Sequence, residues 1–275
     1  MTEAEIKSLV AQELAKSDPD WQVIERASRE LVDQDPDSVR FTVDAGHIQR
    51  LGVELVGKQD TALSELIKNA FDADASKVEL TFRNHAQKGG SLIIEDDGSG
   101  MSDKIIRNSW MRISTAAKVK EPRSTLYRRV RAGKKGIGRF AVQRLGSRLL
   151  LESKPLGAEH GFRVTFEWDA AFTAGTDLQE VFNKIERFEK GPDDSGTRLV
   201  ITDLRDAWSD AALSRVWRSV MLLQPPFKIG KGKAQAGGKD IDPGFSVIIN
   251  GATDVQQRSQ YSIEDTFLKQ AIAVI

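Results

Sequence analysis

The stretch Thr61–Ala75, TALSELIKNAFDADA, decides how the rest of the chain is read. Its apolar residues Leu63, Leu66, Ile67 and Ala70 recur at the spacing of an amphipathic helix. Glu65, Asn69 and Asp72 stand at i, i+4 and i+7, so they line up on the opposite side. Taken alone, this is an ordinary helix with a solvated polar face. Two later stretches change its meaning: IIEDDGSGM at Ile93–Met101 and GKKGIGRFA at Gly133–Ala141.

In this order the three stretches resemble the motif set of the GHKL ATPases, which include gyrase-type topoisomerases, the ninety-kilodalton heat-shock chaperone, sensor histidine kinases and MutL. ELIKNAFDADA resembles that family's Glu-xxx-Asn-xx-Asp helix. Asp96-Asp97-Gly98-Ser99-Gly100 matches its Asp-x-Gly-x-Gly box, and Gly133, Gly136 and Gly138 its second glycine box. Gly196-Thr197, ahead of a β-rich run, resembles the fourth. The match spans roughly Phe41 to Asn250, and the trailing DADA is closer to MutL- and MORC-type members than to kinases. The resemblance implies a Bergerat-type ATP-binding fold, an α+β two-layer sandwich. Its mixed, mostly antiparallel sheet would carry helices on one face.

The resemblance also assigns roles. Glu65 falls where the family places its general base, and a carboxylate one hydrogen bond from a water suits that task. Asn69 would offer magnesium a neutral amide oxygen, with phosphates and waters completing the hard-oxygen shell. Asp72 either lies by the pocket or caps neighbouring backbone. Asp96 would accept a hydrogen bond from the adenine amino group. Asp97 competes for that role, but only Asp96 gives Asp-x-Gly-x-Gly with Gly98 and Gly100. Met101 follows in the same loop, and Thr197 would help on the adenine side. Gly136, Ile137 and Gly138 precede a helix whose free N–H groups make a phosphate cradle. Asn108, Ser114, Thr115 and Lys118 are expected phosphate or sugar contacts from a long lid.

Composition sets outer bounds. The 275 residues are 40% hydrophobic and 29% charged, with 40 basic and 40 acidic side chains. That suits one globular domain plus extensions, with no overall field towards nucleic acid or a bilayer. Cysteine is absent, which excludes disulfides and thiolate metal sites and fits a reducing compartment. No apolar run approaches the ~20 residues of a membrane span, and MTEAEIKSLV is no signal peptide. A soluble, cytoplasmic protein is expected.

Three regions follow: an N-terminal helical extension over 1–37, the ATP-binding domain over 38–250, and a linker or start of a further domain over 251–275. In the first, Ile6, Leu9, Val10 and Leu14 mark one helix. Asp18-Pro19 would start a second, burying Trp21, Ile24, Leu31 and Val32. Strands are expected at Val39–Val43, Lys77–Arg83, Ser91–Glu95, Arg148–Glu152, Phe162–Trp168 and Phe245–Asn250. Ile185–Phe188 is expected to pair with Arg198–Thr202 across the PDDSG turn. Helices are expected at Ile48–Val56, Lys104–Trp110, Gly138–Leu145 and after Ser209. Arg112–Lys135, with nine basic residues and no clean period, reads as the lid. The apolar end Phe267–Ile275 suggests a fragment of a longer protein.

Gly136-Ile-Gly-Arg-Phe-Ala141 formally fits a dinucleotide fingerprint, but RRVRAGKK before it cannot be a buried strand. His47, His85 and His160 lack metal-ligand spacing. The run Arg128, Arg129, Arg131, Lys134, Lys135 reads as a solvated face or a neighbour of triphosphate, and is the one start for a nucleic-acid claim. The expectation is Mg-dependent ATP binding with slow hydrolysis, lid closure and ATP-dependent homodimerisation. The alternatives are phosphotransfer to a histidine, or a nucleotide-gated dimerisation module.

Overall fold

The computed structural model describes residues 1–34, 37, 41–113, 121–133, 138–220, 223 and 242–250. The expected site residues Ser114, Thr115, Lys118, Gly136 and Ile137 lie outside the described residues, as do Lys134, Lys135 and residues 228–241 and 251–275. Two units emerge. One is Met1–His47 with Phe172–Phe182; the other is Ile48–Ala171 with the described residues from Asn183 onward.

In the first unit, α1 (Glu3–Leu14) opens with a capping box between Thr2 and Glu5. Helix α2 (Trp21–Asp33) is capped by Asp20, whose carboxylate accepts from the Gln22 and Val23 amides. The cap is therefore Asp20, and Pro19 stands before the helix instead of in its first turn. Ile6 and Ala27 are buried and Leu14 is exposed; Trp21 and Val32, expected on the buried side of the second helix, are exposed as well. Trp21 precedes Ala27 by six residues, about 240° round a helix, so a stripe centred on Ala27 turns it outward. The expected strand at Val39–Val43 is absent over Phe41–Val43; what forms is an isolated bridge from Asp44 to Asp177. Asp44 also accepts from the Gly46 and Gly175 amides.

The second unit holds the sheet. After α3 (His47–Val56) and α4 (Gln59–Asp72) come β1 (Lys77–Arg83), β2 (Ser91–Asp96), and α5 (Asp103–Ile105) running into a π-helical turn, Ile106–Trp110. Then follow α6 (Gly138–Leu145), β3 (Gly146–Lys154), β4 (His160–Glu167), α7 (Trp168–Ala171), β5 (Ile185–Glu189), β6 (Gly196–Leu204), α8 (Asp210–Val220) and β7 (Ser246–Asn250). The strand order is β5-β4-β3-β6-β2-β1-β7. Every pairing is antiparallel except β1 with β7. This is the mixed, mostly antiparallel α+β sheet that the motifs imply.

Alternation along the strands builds the core. Register aligns Phe82, Leu92, Ile201, Leu149 and Phe166 in one cross-strand row, and Leu80, Ile94, Leu199, Leu151 and Val164 in the next. All ten are buried, each stabilising the fold by roughly 1.5–3 kcal/mol relative to exposure. Helix α4 packs between α6 and α8, and α6 lies against β3 and β6. Its Leu63, Leu66, Ile67 and Ala70 are buried, as their spacing predicts. The other sheet face carries charge: Glu152 pairs with Arg163 and Arg198 at 2.8 and 2.9 Å.

One strand pairing differs from expectation. β5 joins β4, not β6, because both edges of β6 are already taken by β2 and β3. Phe188 on β5 finds its partner on β4, where the Arg163 guanidinium lies 5.4 Å from its ring centre.

Candidate functional site

A third cross-strand row continues the two apolar ones, and it turns polar: Asp96 on β2, Thr197 on β6, Ser153 on β3. The same period-two alternation that buries Leu92 and Ile94 aims Asp96 into the helix-facing layer at the end of β2. There its Oδ1 accepts the Gly98 amide at 3.0 Å and the Thr197 amide at 3.2 Å. Oδ2 has no partner among the described residues. Burial pushes this carboxyl up to about 7, and the two amides only partly offset the desolvation. The residue still keeps some accessible surface, so it walls an opening and is not sealed in the core.

Asp97 behaves differently. It is exposed, and its carboxylate accepts from the Ser76 amide and hydroxyl and the Lys77 amide, fixing the start of β1. The loop beyond comes close to its neighbours. Gly100 has φ +63, and a Cβ there would stand 2.1 Å from the Lys154 carbonyl oxygen. Gly196 has φ +125, and a Cβ would meet the Asp96 carbonyl oxygen at 1.9 Å. No other residue type fits either place. The Met101 amide donates to Ser153 Oγ at 2.7 Å, and Ser153 Oγ lies 3.2 Å from Thr197 Oγ1.

Helix α4 abuts this loop through its C-terminal end: the Ser99 amide donates to the Ala73 carbonyl at 2.8 Å. One turn earlier stands Asn69, and a turn before that Glu65, both half-buried. Lys68 Nζ is 2.8 Å from Glu65 Oε1. Asp72 is buried and accepts from the Ala132 and Gly133 amides at 2.7 and 3.1 Å, holding the approach to the second glycine box. Asn108 is exposed in the π-helical turn, and Gly138 is the first residue of α6.

Three residues here escaped the sequence reading. Ser153 would have declared itself had its strand been carried one residue past Glu152, since it continues the Leu149, Leu151 alternation. Asp74, at φ 63, accepts from the Leu126 and Tyr127 amides at 2.7 and 3.2 Å. Arg129 is only 6% exposed. Its guanidinium bonds Asp242 Oδ2 at 2.9 Å, the Ala75 carbonyl at 2.6 Å and the Gly244 carbonyl at 2.8 Å. The rings of Phe71 and Tyr127 lie 4.8 and 5.0 Å away. The basic run is therefore not one solvated face: Arg129 belongs to the core, and Arg131 is largely covered.

A mixed seven-stranded sheet with a helical layer, a buried Asp-Gly loop at a strand end and a Glu-Asn helix abutting it define a GHKL-type ATPase domain. Residues 58–197 match the family described as histidine kinase-, DNA gyrase B- and HSP90-like ATPase, and the chain belongs to this family. It is 35% identical over 120 residues to the DNA mismatch repair protein MutL of Paramagnetospirillum magneticum, covering 42% of this chain and 18% of that protein. It is 26% identical over 147 residues to the putative type II restriction enzyme HgiDII of Herpetosiphon aurantiacus, covering 54% of this chain and 23% of that one. The chain thus spans about a fifth of the length of these relatives. Among the described residues, no helix is long and apolar enough to cross a membrane.

Proposed function

We propose that this chain binds ATP with its adenine against Asp96 and hydrolyses it slowly, as the engine of a longer protein that closes a lid and dimerises on ATP. One observation carries the reading. Asp96 has one carboxyl oxygen committed to backbone amides and the other open among the described residues, at the end of the strand face that buries Leu92 and Ile94. Such an oxygen is an acceptor waiting for a donor, and the exocyclic amino group of adenine is one.

The other assigned residues would serve the rest of the nucleotide. Glu65 would hold an attacking water through a carboxylate oxygen and take its proton. Gly138, at the start of α6, would present backbone N–H groups to phosphate oxygens. Magnesium takes phosphate and water oxygens readily, and from the protein it would need one amide oxygen, that of Asn69. When bound, the ion would neutralise charge on the phosphates. Met101 and Thr197 would flank the base, and Asn108 would meet sugar or phosphate. Thr115, Lys118, Gly136 and Ile137 remain contacts proposed from the motifs.

Binding and hydrolysis are tested separately. Asp96→Asn keeps the two amide bonds to Oδ1 but turns an N–H2 towards the adenine amino group, donor against donor. ATP affinity is expected to fall at least tenfold, about 1.4 kcal/mol or more. Calorimetric titration reads it directly, and unchanged affinity would remove Asp96 from the base.

A further inference from the structure

We propose that Ser153 is a positioning residue that fixes the polarity of the Thr197 hydroxyl, so that the site presents an acceptor and a donor side by side and selects adenine over guanine. The inference rests on the reading of Asp96 as the residue that meets the base. Its own ground is a proton count.

A hydroxyl has one proton and two lone pairs. Ser153 is fully buried. Its Oγ accepts the Met101 amide proton, and its other neighbour is Thr197 Oγ1 at 3.2 Å. By distance alone either hydroxyl could be the donor. If Thr197 donated, the Ser153 proton would have no acceptor among the described residues, and a buried orphan donor is costly. If Ser153 donates, every group is satisfied: the amide bonds Ser153, Ser153 bonds Thr197, and the Thr197 proton is released. Thr197 is half-exposed, so that proton can turn to the opening.

Thr197 is the register partner of Asp96. The opening is therefore faced by the Asp96 Oδ2 acceptor and, on the adjacent strand, the Thr197 hydroxyl donor. Adenine offers the complement on one edge, an amino donor at N6 beside an acceptor at N1. Guanine offers the reverse, an acceptor at O6 beside a donor at N1, and fails at both contacts. A site built for such contacts rejects the base that lacks them more strongly than an apolar pocket could.

The test is equilibrium binding of ATP, 1-deaza-ATP, which lacks the N1 acceptor, and purine riboside triphosphate, which lacks the N6 amino group. The native chain is expected to prefer ATP over 1-deaza-ATP by about three- to tenfold, the range of one neutral hydrogen bond. Ser153→Ala leaves the Thr197 hydroxyl free to rotate, so this ratio should fall towards one, and Ser153→Thr should restore it. If Ser153→Ala weakened both ligands by one common factor, Ser153 would be merely structural and the proposal overturned. Should Ser153→Ala fail to fold, Thr197→Val keeps the shape without the donor and must abolish the same ratio; a ratio that survives it overturns the proposal as well. Equal binding of purine riboside triphosphate and ATP by the native chain would instead strike down the reading of Asp96 beneath it.

Discussion

Asp96 is costly to the ligand-free fold, and the sign of that cost can be worked out. Its folded pKa is raised from an ordinary 3.8 to about 7 by desolvation. Below pH 4 both folded and unfolded states hold the proton, and the residue contributes no penalty. Between pH 4 and 7 the unfolded chain ionises first, so stability falls as pH rises; above 7 the penalty is complete, roughly 4 kcal/mol. Asp96→Asn should therefore raise the melting temperature of the ligand-free chain at pH 8 by several degrees while weakening ATP binding, opposite effects of one change. An amino donor favours the ionised carboxyl, so native ATP affinity should decline as pH falls through about 7. Differential scanning fluorimetry and titrations at pH 6, 7 and 8 read both. A lowered melting temperature at pH 8, or a flat pH profile, would count against Asp96 as the buried reader of the base.

Helix α4 does more than carry Glu65 and Asn69. Asp72, in its last turn, and Asp74, just beyond it, each take two backbone amides of the 121–133 segment, so the helix pins the described part of the expected lid. Asp72→Ala and Asp74→Ala each orphan two N–H groups, and each should destabilise by about 1–3 kcal/mol. Hydrogen exchange should rise first at Leu126–Tyr127 for Asp74→Ala and at Ala132–Gly133 for Asp72→Ala. Arg129 ties the same segment to β7 through Asp242, whose carboxyl it holds below the usual Asp value, chiefly by hydrogen bonding. Removing it strands that carboxylate and two carbonyls, so Arg129→Ala should cost about 3–5 kcal/mol in denaturant unfolding. A near-neutral result would show the cluster to be peripheral. The sequence showed α4, β1, β2 and α6 well, because each keeps one period over its length and is bounded by turn residues. It hid Asp74 and Arg129, since their side-chain hydrogen-bond partners lie 52 or more residues away and a charged side chain in a basic run reads as solvated. The cap of α2 and the partner of β5 were missed for a related reason: local pattern names an element but not what it packs on.

At the scale of the whole domain, the apolar rows and the polar row are one device. The rows from Leu92 and Ile94 hold β2, β6 and β3 in register, and the next step along the same strands delivers Asp96, Thr197 and Ser153 together. Helix α4 meets the loop after Asp96 at Ala73. A nucleotide touching Asp96, Asn69 and the start of α6 would thus bridge parts already joined through the core, so binding should stabilise the domain as a unit. At a hundred times its dissociation constant ATP would add about 2.7 kcal/mol by mass action. Glu65 stands outside that account: half-buried and, among the described residues, paired only with Lys68 on its own helix, it ties no other described element in place. Glu65→Ala should therefore keep both native stability and the ATP-induced rise in melting temperature while abolishing phosphate release. The two readouts separate failure modes. Loss of the thermal shift would mean that Glu65 supports nucleotide binding, and turnover persisting alongside an intact shift would reject it as the base.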